Sequence, residues 1–320
     1  MRAPTSRLRG LSALLIASLL VVGVACDPPP PSCKPTKTKK CPAVPTTTSP
    51  PRLPPWRKTA VFAGLGAWAD VYDWSPTYDP TPAFTLDSVD RLADAGVQTL
   101  YIQSGKAQRP EEIVDPVVFD AMVKRAHGRG MKIVSWYLPA FIDLKTDIQR
   151  LVAPLKYGVD GVAMDIESTD NKDLAARNAG LKLEALFTRW VLPDLAMAAI
   201  VLPPVVTDVL NLNYWPDFPW SSLAPLFDAW MPMGYWTNRT TASGYRDGEK
   251  YTSDNIDRLR AHLGDANAPV HPVGGIANAV TTDEVNGFVA SAQSRNVIGG
   301  SLYDDTTGPT LYPLLQPLRR

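Results

Sequence analysis

Cysteine and histidine are scarce in this chain of 320 residues, which contains three of each. All three cysteines precede residue 58, so the 263 residues from 58 onward have no disulfide and no thiol nucleophile. His127 and His262 lie in predicted helices, and His271 opens a predicted strand. Neither a histidine metal site nor a Ser-His-Asp triad is therefore expected. Gly-x-Ser-x-Gly and P-loop motifs are also lacking, and no cofactor is expected.

An excess of one charge is lacking as well, since 32 basic residues balance 32 acidic ones. The distribution is nevertheless uneven along the chain. Residues 26–57 carry a net charge of +5, whereas residues 58–320 contain 23 basic and 31 acidic residues, a net charge of −8. Nucleic-acid binding without sequence preference requires a basic surface. The acidic main part therefore argues against a nucleic-acid partner.

No apolar run is long enough for an ordinary membrane-spanning helix. The longest, LSALLIASLLVVGVA, follows three arginines and ends at Cys26 after small residues. This order predicts an export signal peptide over residues 1–25. Plain secretion with cleavage near Ala25 is one reading. The stretch also resembles a bacterial lipoprotein signal, which implies a lipidated Cys26 and an anchor on the outer face of the cell membrane.

Residues 26–57 are rich in proline, threonine and lysine, and contain eleven of the 31 prolines. Such a composition cannot bury a core, which predicts a disordered, extended tether. Its lysines could lie against anionic lipid headgroups. Export would allow Cys33 and Cys41 to pair into a small loop.

The remaining residues, 58–320, alternate between β-rich runs and helical patterns eight times. The count and the length match an α/β protein with a (β/α)8 TIM barrel. A doubly wound sheet is the competitor, but the Gly-x-Gly at 64–66 lacks the third glycine of a phosphate-binding fingerprint. The predicted strands are 61–68, 97–104, 131–138, 159–168, 196–202, 229–236, 270–277 and 297–305.

Capping residues predict where several helices begin and end. Thr85 and Ser253 are the expected N-caps of two helices, the second of which should stop at Gly264. Pro116 is expected in a first turn, and Thr281 should cap a helix with Glu284 near its first turn.

Carboxylates and aromatic side chains follow the predicted strands, and these barrels place their active sites at the carboxyl ends of the strands. Aromatic faces over a wet cleft suit the apolar faces of sugar rings, so an oligosaccharide or polysaccharide is the expected ligand. The candidate substrate-binding residues are Asp70, Asp73, Trp74, Gln103, Trp136, Tyr137, Met233, Trp236, Tyr303 and Asp304.

The fourth strand, GVDGVAMDIE, is the most informative segment. By the period of two, Asp165 and Glu167 share the face that points to the barrel axis, with Cα atoms roughly 6–7 Å apart. Charges on an inward face are costly, and crowded like charges raise one pKa, as a general acid requires. The pair is therefore the predicted catalytic centre.

The same segment resembles the strand-4 signature of family 18 glycoside hydrolases, the chitinase-like barrels, in which four acids are spaced as Asp-Gly-x-Asp-x-Asp-x-Glu. Asp160, Asp165 and Glu167 match three of them, and Ala163 replaces the middle aspartate. The segment MPMGYW resembles the strand-6 Met-x-Tyr of the family through Met233 and Tyr235, and GGSLYDD resembles its strand-8 ending.

The resemblance implies that Glu167 protonates the glycosidic oxygen, while Asp165 orients an acetamido group or acts as the second carboxylate. Tyr235 would donate a hydrogen bond to the developing charge. The alternative second carboxylates are Asp70, Asp73 and Asp304, and the expected stacking platform consists of Trp74, Trp136 and Trp236.

Three functional hypotheses follow. The first is a cell-envelope or secreted glycoside hydrolase. The second, motivated by Ala163, is a carbohydrate-binding barrel without catalysis, and the third is an envelope scaffold protein without a glycan ligand. A Glu167→Gln change would separate the first two, because it should abolish turnover and spare binding.

Overall fold

The computed structural model describes residues 58–306 and 308–320. The predictions for the signal peptide, the tether, Cys26, Cys33 and Cys41 lie outside the described residues. Within those residues, no helix has both the length and the hydropathy that crossing a bilayer requires.

Eight parallel strands form a nearly closed barrel in the described part of the chain, so the (β/α)8 prediction is confirmed. Their order is β6-β5-β4-β3-β2-β1-β8-β7, and bridges from Trp230 to Val270 and from Met233 to Val273 join the two ends. The strands are β1 (Gly64–Ala69), β2 (Thr99–Gln103), β3 (Lys132–Tyr137), β4 (Gly161–Ile166), β5 (Met197–Val201), β6 (Ala229–Pro232), β7 (Val273–Ile276) and β8 (Gly299–Tyr303).

Helices follow the strands and cover the outside of the barrel, as parallel strands require. Nearly every strand residue is therefore buried. The α-helices of the described part are α1 (Val71–Trp74), α2 (Leu86–Asp94), α3 (Pro116–Gly128), α4 (Leu144–Val152), α5 (Leu174–Val191), α6 (Trp220–Leu223), α7 (Gly248–Leu263), α8 (Thr282–Ser294) and α9 (Tyr312–Leu315).

The capping residues are predicted correctly for three helices and wrongly for one. Thr85 caps α2, Pro116 opens α3, and Thr281 forms a reciprocal capping box with Glu284 in α8. Ser253 caps nothing, because α7 begins five residues earlier, where the Asp247 carboxylate accepts a hydrogen bond from the Lys250 amide at 2.7 Å. Gly264 ends α7 with a positive φ, as expected.

A buried group of polar side chains inside the barrel is centred on His271 and Ser301. His271 is fully buried, with Nδ1 2.8 Å from the Phe62 carbonyl and Nε2 3.0 Å from the Ser301 hydroxyl. Trp68 Nε1 donates to the same hydroxyl at 2.7 Å. Burial lowers the pKa of His271 to about 4, so this imidazole is neutral at physiological pH and has a structural role.

Candidate active site

A cavity of about 300 Å³ opens at the carboxyl ends of the strands. It is lined by eight of the predicted site residues, which come from six different strands or the segments that follow them. Five further predicted residues lie outside its lining. The eight are Asp70, Gln103, Trp136, Asp165, Glu167, Met233, Tyr235 and Tyr303.

Asp165 lies on the floor of the cavity and is only 5% exposed. Its Oδ1 atom has no hydrogen-bond partner among the described residues. Two residues earlier on the same face, Ala163 is fully buried and pairs in register with Trp136 on β3 and Ala198 on β5. Asp165 itself pairs in register with the apolar Ile200 of β5.

Glu167 follows the last residue of β4 and is half-buried in the wall of the same cavity. Burial raises the pKa of Glu167, and burial together with the charge of Glu167 raises the pKa of Asp165 well above its ordinary value of 3.8. The raised pKa of Asp165 agrees with the sequence expectation that crowding raises one pKa of the pair.

Two tyrosines form the wall opposite the carboxyl pair. The rings of Tyr235 and Tyr303 lie with their centroids 5.6 Å apart. Burial, followed by the negative charges of Asp165 and Glu167, raises the pKa of Tyr235 well above 10.0. Tyr235 thus keeps its proton and offers a hydrogen-bond donor to an oxygen in the cavity.

Aromatic surface in the cavity comes from Trp136 and Trp68. Trp136 is 6% exposed, and its Nε1 has no hydrogen-bond partner in the described part of the chain. Its ring meets Trp68 edge to face, with centroids 6.2 Å apart, and Trp68 in turn stacks on Tyr101 at 4.4 Å. The indole of Trp136 is consequently held in a fixed orientation toward the cavity.

Trp74 and Trp236, predicted to complete the stacking platform, are buried elsewhere, which corrects that prediction. Trp74 lies on α1, where its Nε1 donates to the Gln103 carbonyl at 3.1 Å and its ring packs on Phe119. Trp236 is fully buried and packs on Phe288 of α8, with centroids 5.6 Å apart. Both side chains belong to the contact between the barrel and its helices.

Tyr137 and Asp160 are also displaced from the predicted site. Tyr137 alternates with Trp136 along β3 and therefore faces α4, where its hydroxyl donates to Asp147 at 2.7 Å. Asp160 precedes β4 at the opposite end of the barrel and accepts a hydrogen bond from the Ile133 amide at 2.8 Å. The acid that matches the first position of the strand-4 motif is structural here.

The β1/β8 side of the cavity is acidic. Asp70 lines the cavity, accepts a hydrogen bond from the Tyr303 hydroxyl at 2.9 Å and caps α1. Asp73 lies behind Asp70, and its carboxylate accepts a hydrogen bond from the Asp70 amide at 2.8 Å. The Thr306 hydroxyl lies between two carboxylates, 2.9 Å from that of Asp73 and 2.8 Å from that of Asp304. Burial and the charge of Asp70 raise the pKa of Asp73 to about 7. Neither Asp73 nor Asp304 lines the cavity.

Several lining residues were not among the predicted site residues. Trp68 and Tyr72 lie at or just beyond the carboxyl end of β1, the position that identified Asp70, so both could have been predicted from the sequence. Lys106 is three residues beyond β2, and its Nζ donates to the Tyr72 hydroxyl at 2.6 Å. The others are Leu138, Ile200 and Val273, which are apolar and follow no pattern that would separate them from the core.

The architecture is that of the family 18 glycoside hydrolases. The chitinase of Cycas revoluta in complex with allosamidin superimposes with a TM-score of 0.59 at 10% identity, over 80% of this chain and 99% of that chain. The spore cortex-lytic enzyme SleL of Bacillus cereus gives 0.58 at 11% identity, over 81% and 74%. The chitinase of Chromobacterium violaceum gives 0.54 at 11% identity, over 81% and 99%.

These similarities concern the fold. No family model matches the sequence, and no curated protein matches it. The described residues therefore form a barrel that resembles those of the chitinases in fold, at 10–11% sequence identity.

Proposed function

We propose that this protein is a glycoside hydrolase acting on a polysaccharide or oligosaccharide, with Glu167 as the general acid. The observation that carries the proposal is the pair formed by the buried Asp165 and the half-buried Glu167, two carboxyls with raised pKa values in one aromatic-lined cavity. Buried acids of this kind are costly to a fold and are typical of catalytic sites. Barrels of the same fold have been solved with (GlcNAc)3 and (GlcNAc)4 bound, which supports a carbohydrate substrate.

In the proposed reaction, Glu167 gives its proton to the glycosidic oxygen as the bond to the anomeric carbon breaks. Burial raises the pKa of Glu167 and so favours the protonated form that a general acid needs. The remaining Glu167 carboxylate then takes a proton from water as the water adds to the anomeric carbon. Tyr235 donates a hydrogen bond to the charge that develops in between.

Asp165 would hold the substrate beside Glu167. Asp165 lines the cavity, and its Oδ1 has no hydrogen-bond partner among the described residues, so the carboxyl is available to accept a hydrogen bond from a substrate donor such as an acetamido N–H. An acetamido group fixed in this way presents its carbonyl oxygen to the anomeric carbon. Otherwise, Asp165 is the second carboxylate of the reaction.

A carbohydrate-binding barrel without catalysis is the second candidate, and Ala163 is the observation that favours it. Ala163 is buried beneath Asp165 and supplies a methyl group where the related motif has a carboxylate. Within β4, no acid precedes Asp165 on this face, so no carboxyl there can share its proton. Binding of glycans without any product would identify this function.

The test combines a panel of N-acetylated and neutral polysaccharides with mass spectrometry of the products. Glu167→Gln is expected to lower kcat by roughly 10²- to 10⁴-fold and to leave glycan binding in place. Glu112→Gln, a change at an exposed residue, is the matched control. Equal turnover by the wild type and Glu167→Gln would remove Glu167 from the mechanism.

We also propose that the chain is exported and anchored by lipid at Cys26. The proposal rests on the sequence order of arginines, apolar run and cysteine, followed by a proline-rich tether. Cys26→Ala should abolish incorporation of labelled fatty acid and move the protein from the membrane fraction to the medium. If Cys26→Ala fractionates like the wild type, Cys26 does not anchor the protein.

A further inference from the structure

A second cavity, of about 460 Å³, lies at the same end of the barrel as the candidate active site. It lies between two segments, the one that leads from β4 into the first turn of α5 and the one that follows β5. Its lining contains two basic side chains and no acidic one. The basic residues are Lys172 and Arg177, and the other lining residues that matter below are Asn213 and Tyr214.

Arg177 is a buried cation without a counter-charge. Its side chain lines the cavity although the residue is only 6% exposed, and its Nε has no hydrogen-bond partner among the described residues. The guanidinium lies over the ring of Trp215 at 4.2 Å, and one terminal nitrogen is 3.5 Å from the Asn171 carbonyl. Burial lowers the pKa of Arg177.

No acid in the described part of the chain forms an ion pair with Arg177 or with the exposed Lys172. Asp173, which lies between them in sequence, is occupied as the N-cap of α5 and accepts a hydrogen bond from the Ala176 amide. A buried guanidinium normally has a carboxylate or phosphate partner, because burying an uncompensated charge is strongly unfavourable. An anion bound in the cavity would therefore stabilise the buried charge of Arg177.

Tyr214 links this cavity to the catalytic carboxyls. It lines the second cavity, and the charges of Glu167 and Asp165 contribute to the raised pKa of its hydroxyl, after burial. Thr169, another lining residue, is two positions beyond Glu167 in the chain. A group bound beside Arg177 would accordingly belong to a sugar close to the one whose bond is cleaved.

We propose that Arg177 and Lys172 bind a carboxylate carried by the substrate, so that the glycan is an acidic one. This inference rests on the proposed function, because it names the substrate class of the same site. The planar guanidinium pairs with a carboxylate through two parallel hydrogen bonds, and Lys172 adds a second positive charge at the rim. The carboxylate could belong to a uronic acid or to a lactyl ether on an amino sugar, which share this chemistry.

The test measures binding to the full chain with the Glu167→Gln change, which should not turn over its ligand. The probes are hyaluronan oligosaccharides, peptide-free peptidoglycan strands, the methyl esters of both, and (GlcNAc)4. The first two distinguish a uronic acid from a lactyl carboxylate. Titration calorimetry is run for the parent protein and for the added changes Arg177→Gln, Arg177→Lys and Lys172→Gln.

Arg177→Gln is expected to weaken binding of the acidic probe by roughly 10- to 100-fold, the equivalent of one charge-assisted hydrogen bond, and to leave (GlcNAc)4 binding unchanged. Arg177→Lys should retain part of the affinity and Lys172→Gln should lose less of it. Esterification of the acidic probe should weaken its binding to the parent protein by the same factor. It should weaken binding to Arg177→Gln little further.

Equal binding of acidic and esterified probes by the parent protein would overturn the inference. So would a loss in Arg177→Gln that is the same for acidic and neutral probes. Should Arg177→Gln fail to fold, the exposed Lys172→Glu change provides the same comparison, and unchanged binding of the acidic probe would be decisive against the inference. Tighter binding of a sulfated than of a carboxylated probe would also contradict it.

The inference and the proposed function fail separately. Cleavage of glycans by the protein with Glu167 intact, without any preference for acidic ones, would support the hydrolase and reject the acidic substrate. Charge-selective binding by the Glu167→Gln protein, without cleavage of any probe by the wild type, would reject the hydrolase and support the acidic ligand.

Discussion

Replacing Asp165 by asparagine should stabilise the protein while it removes glycan hydrolysis. Asp165 is 5% exposed, its Oδ1 is unpaired, and its pKa lies well above 3.8 because of burial and the charge of Glu167. A buried carboxyl with a structural role would have hydrogen-bond partners within the fold. A buried carboxyl whose role is to bind a ligand lacks them in the unliganded protein and lowers its free energy of unfolding, which can be measured.

The sign and size of the effect follow from the raised pKa. The folded protein holds the Asp165 proton more tightly than the unfolded chain does, so the free energy of unfolding falls as the pH rises above 3.8 and stops falling at the folded-state pKa. Asparagine does not ionise and lacks this dependence. At a pH of about 8, the expected gain of Asp165→Asn is about 1.4 kcal/mol for each unit by which the folded-state pKa, counted up to that pH, exceeds 3.8. At a pH of about 4 the gain should be close to zero, because both side chains are then largely uncharged and equally unpaired.

Urea denaturation of both proteins at the two pH values is the assay, and a thermal scan should show a shift of about 2–4 °C for each kcal/mol. Asp87→Asn, at an exposed position on α2, is the matched control and should change stability by less than about 0.5 kcal/mol. A variant that is less stable than the wild type at the higher pH would refute the reasoning, because it would show that the carboxyl holds the fold together.

Two further predictions concern the surroundings of the pair. The pKa of Asp73 is raised to about 7, so the free energy of unfolding should fall as the pH rises from 3.8 to about 7. Asp73→Asn should flatten this pH dependence in urea denaturation, and an unchanged pH dependence would contradict the prediction. Trp136→Ala should weaken oligosaccharide binding by roughly 3- to 10-fold in calorimetry. Trp74→Ala should instead cost roughly 3–5 kcal/mol of stability and leave the affinity of the folded protein unchanged, and a loss of affinity in both would contradict the assignment.

The barrel itself could be predicted because its strands and helices differ in period and alternate regularly. Ends of strands are less certain, and β6 shows the consequence. The apolar run of 229–236 predicts a strand up to Trp236, but β6 ends at Pro232, and beyond it Met233 forms only an isolated bridge to Val273. The chain then turns at Gly234, and Trp236 enters the helix layer instead of the mouth of the barrel.

The site was predictable where the period of two applied. Asp165 and Glu167 share one face of β4, and the same rule, applied to β3, would have retained Trp136 and excluded Tyr137. Trp74 could not be placed in this way, because it lies on α1, a helix of a single turn with no periodic pattern. Pattern alone also gives no distance between segments, so the stacking of Arg177 on Trp215, 38 positions apart in sequence, is visible only in the fold.

Charge is distributed unevenly across the mouth of the barrel, which bears on how a glycan would lie there. Asp70, Asp73 and Asp304 lie on the β1/β8 side, whereas Arg177 lies beyond β4 and β5, which are on the opposite side of the barrel in the strand order. A carboxylate would be repelled on the first side and attracted on the second. An acidic glycan with alternating sugars should therefore bind in one direction and one register, so that only every second linkage meets Glu167. The proposed hydrolase should then release products with even numbers of sugars from such a polymer, and a ladder of all sizes would argue that charge does not set the register.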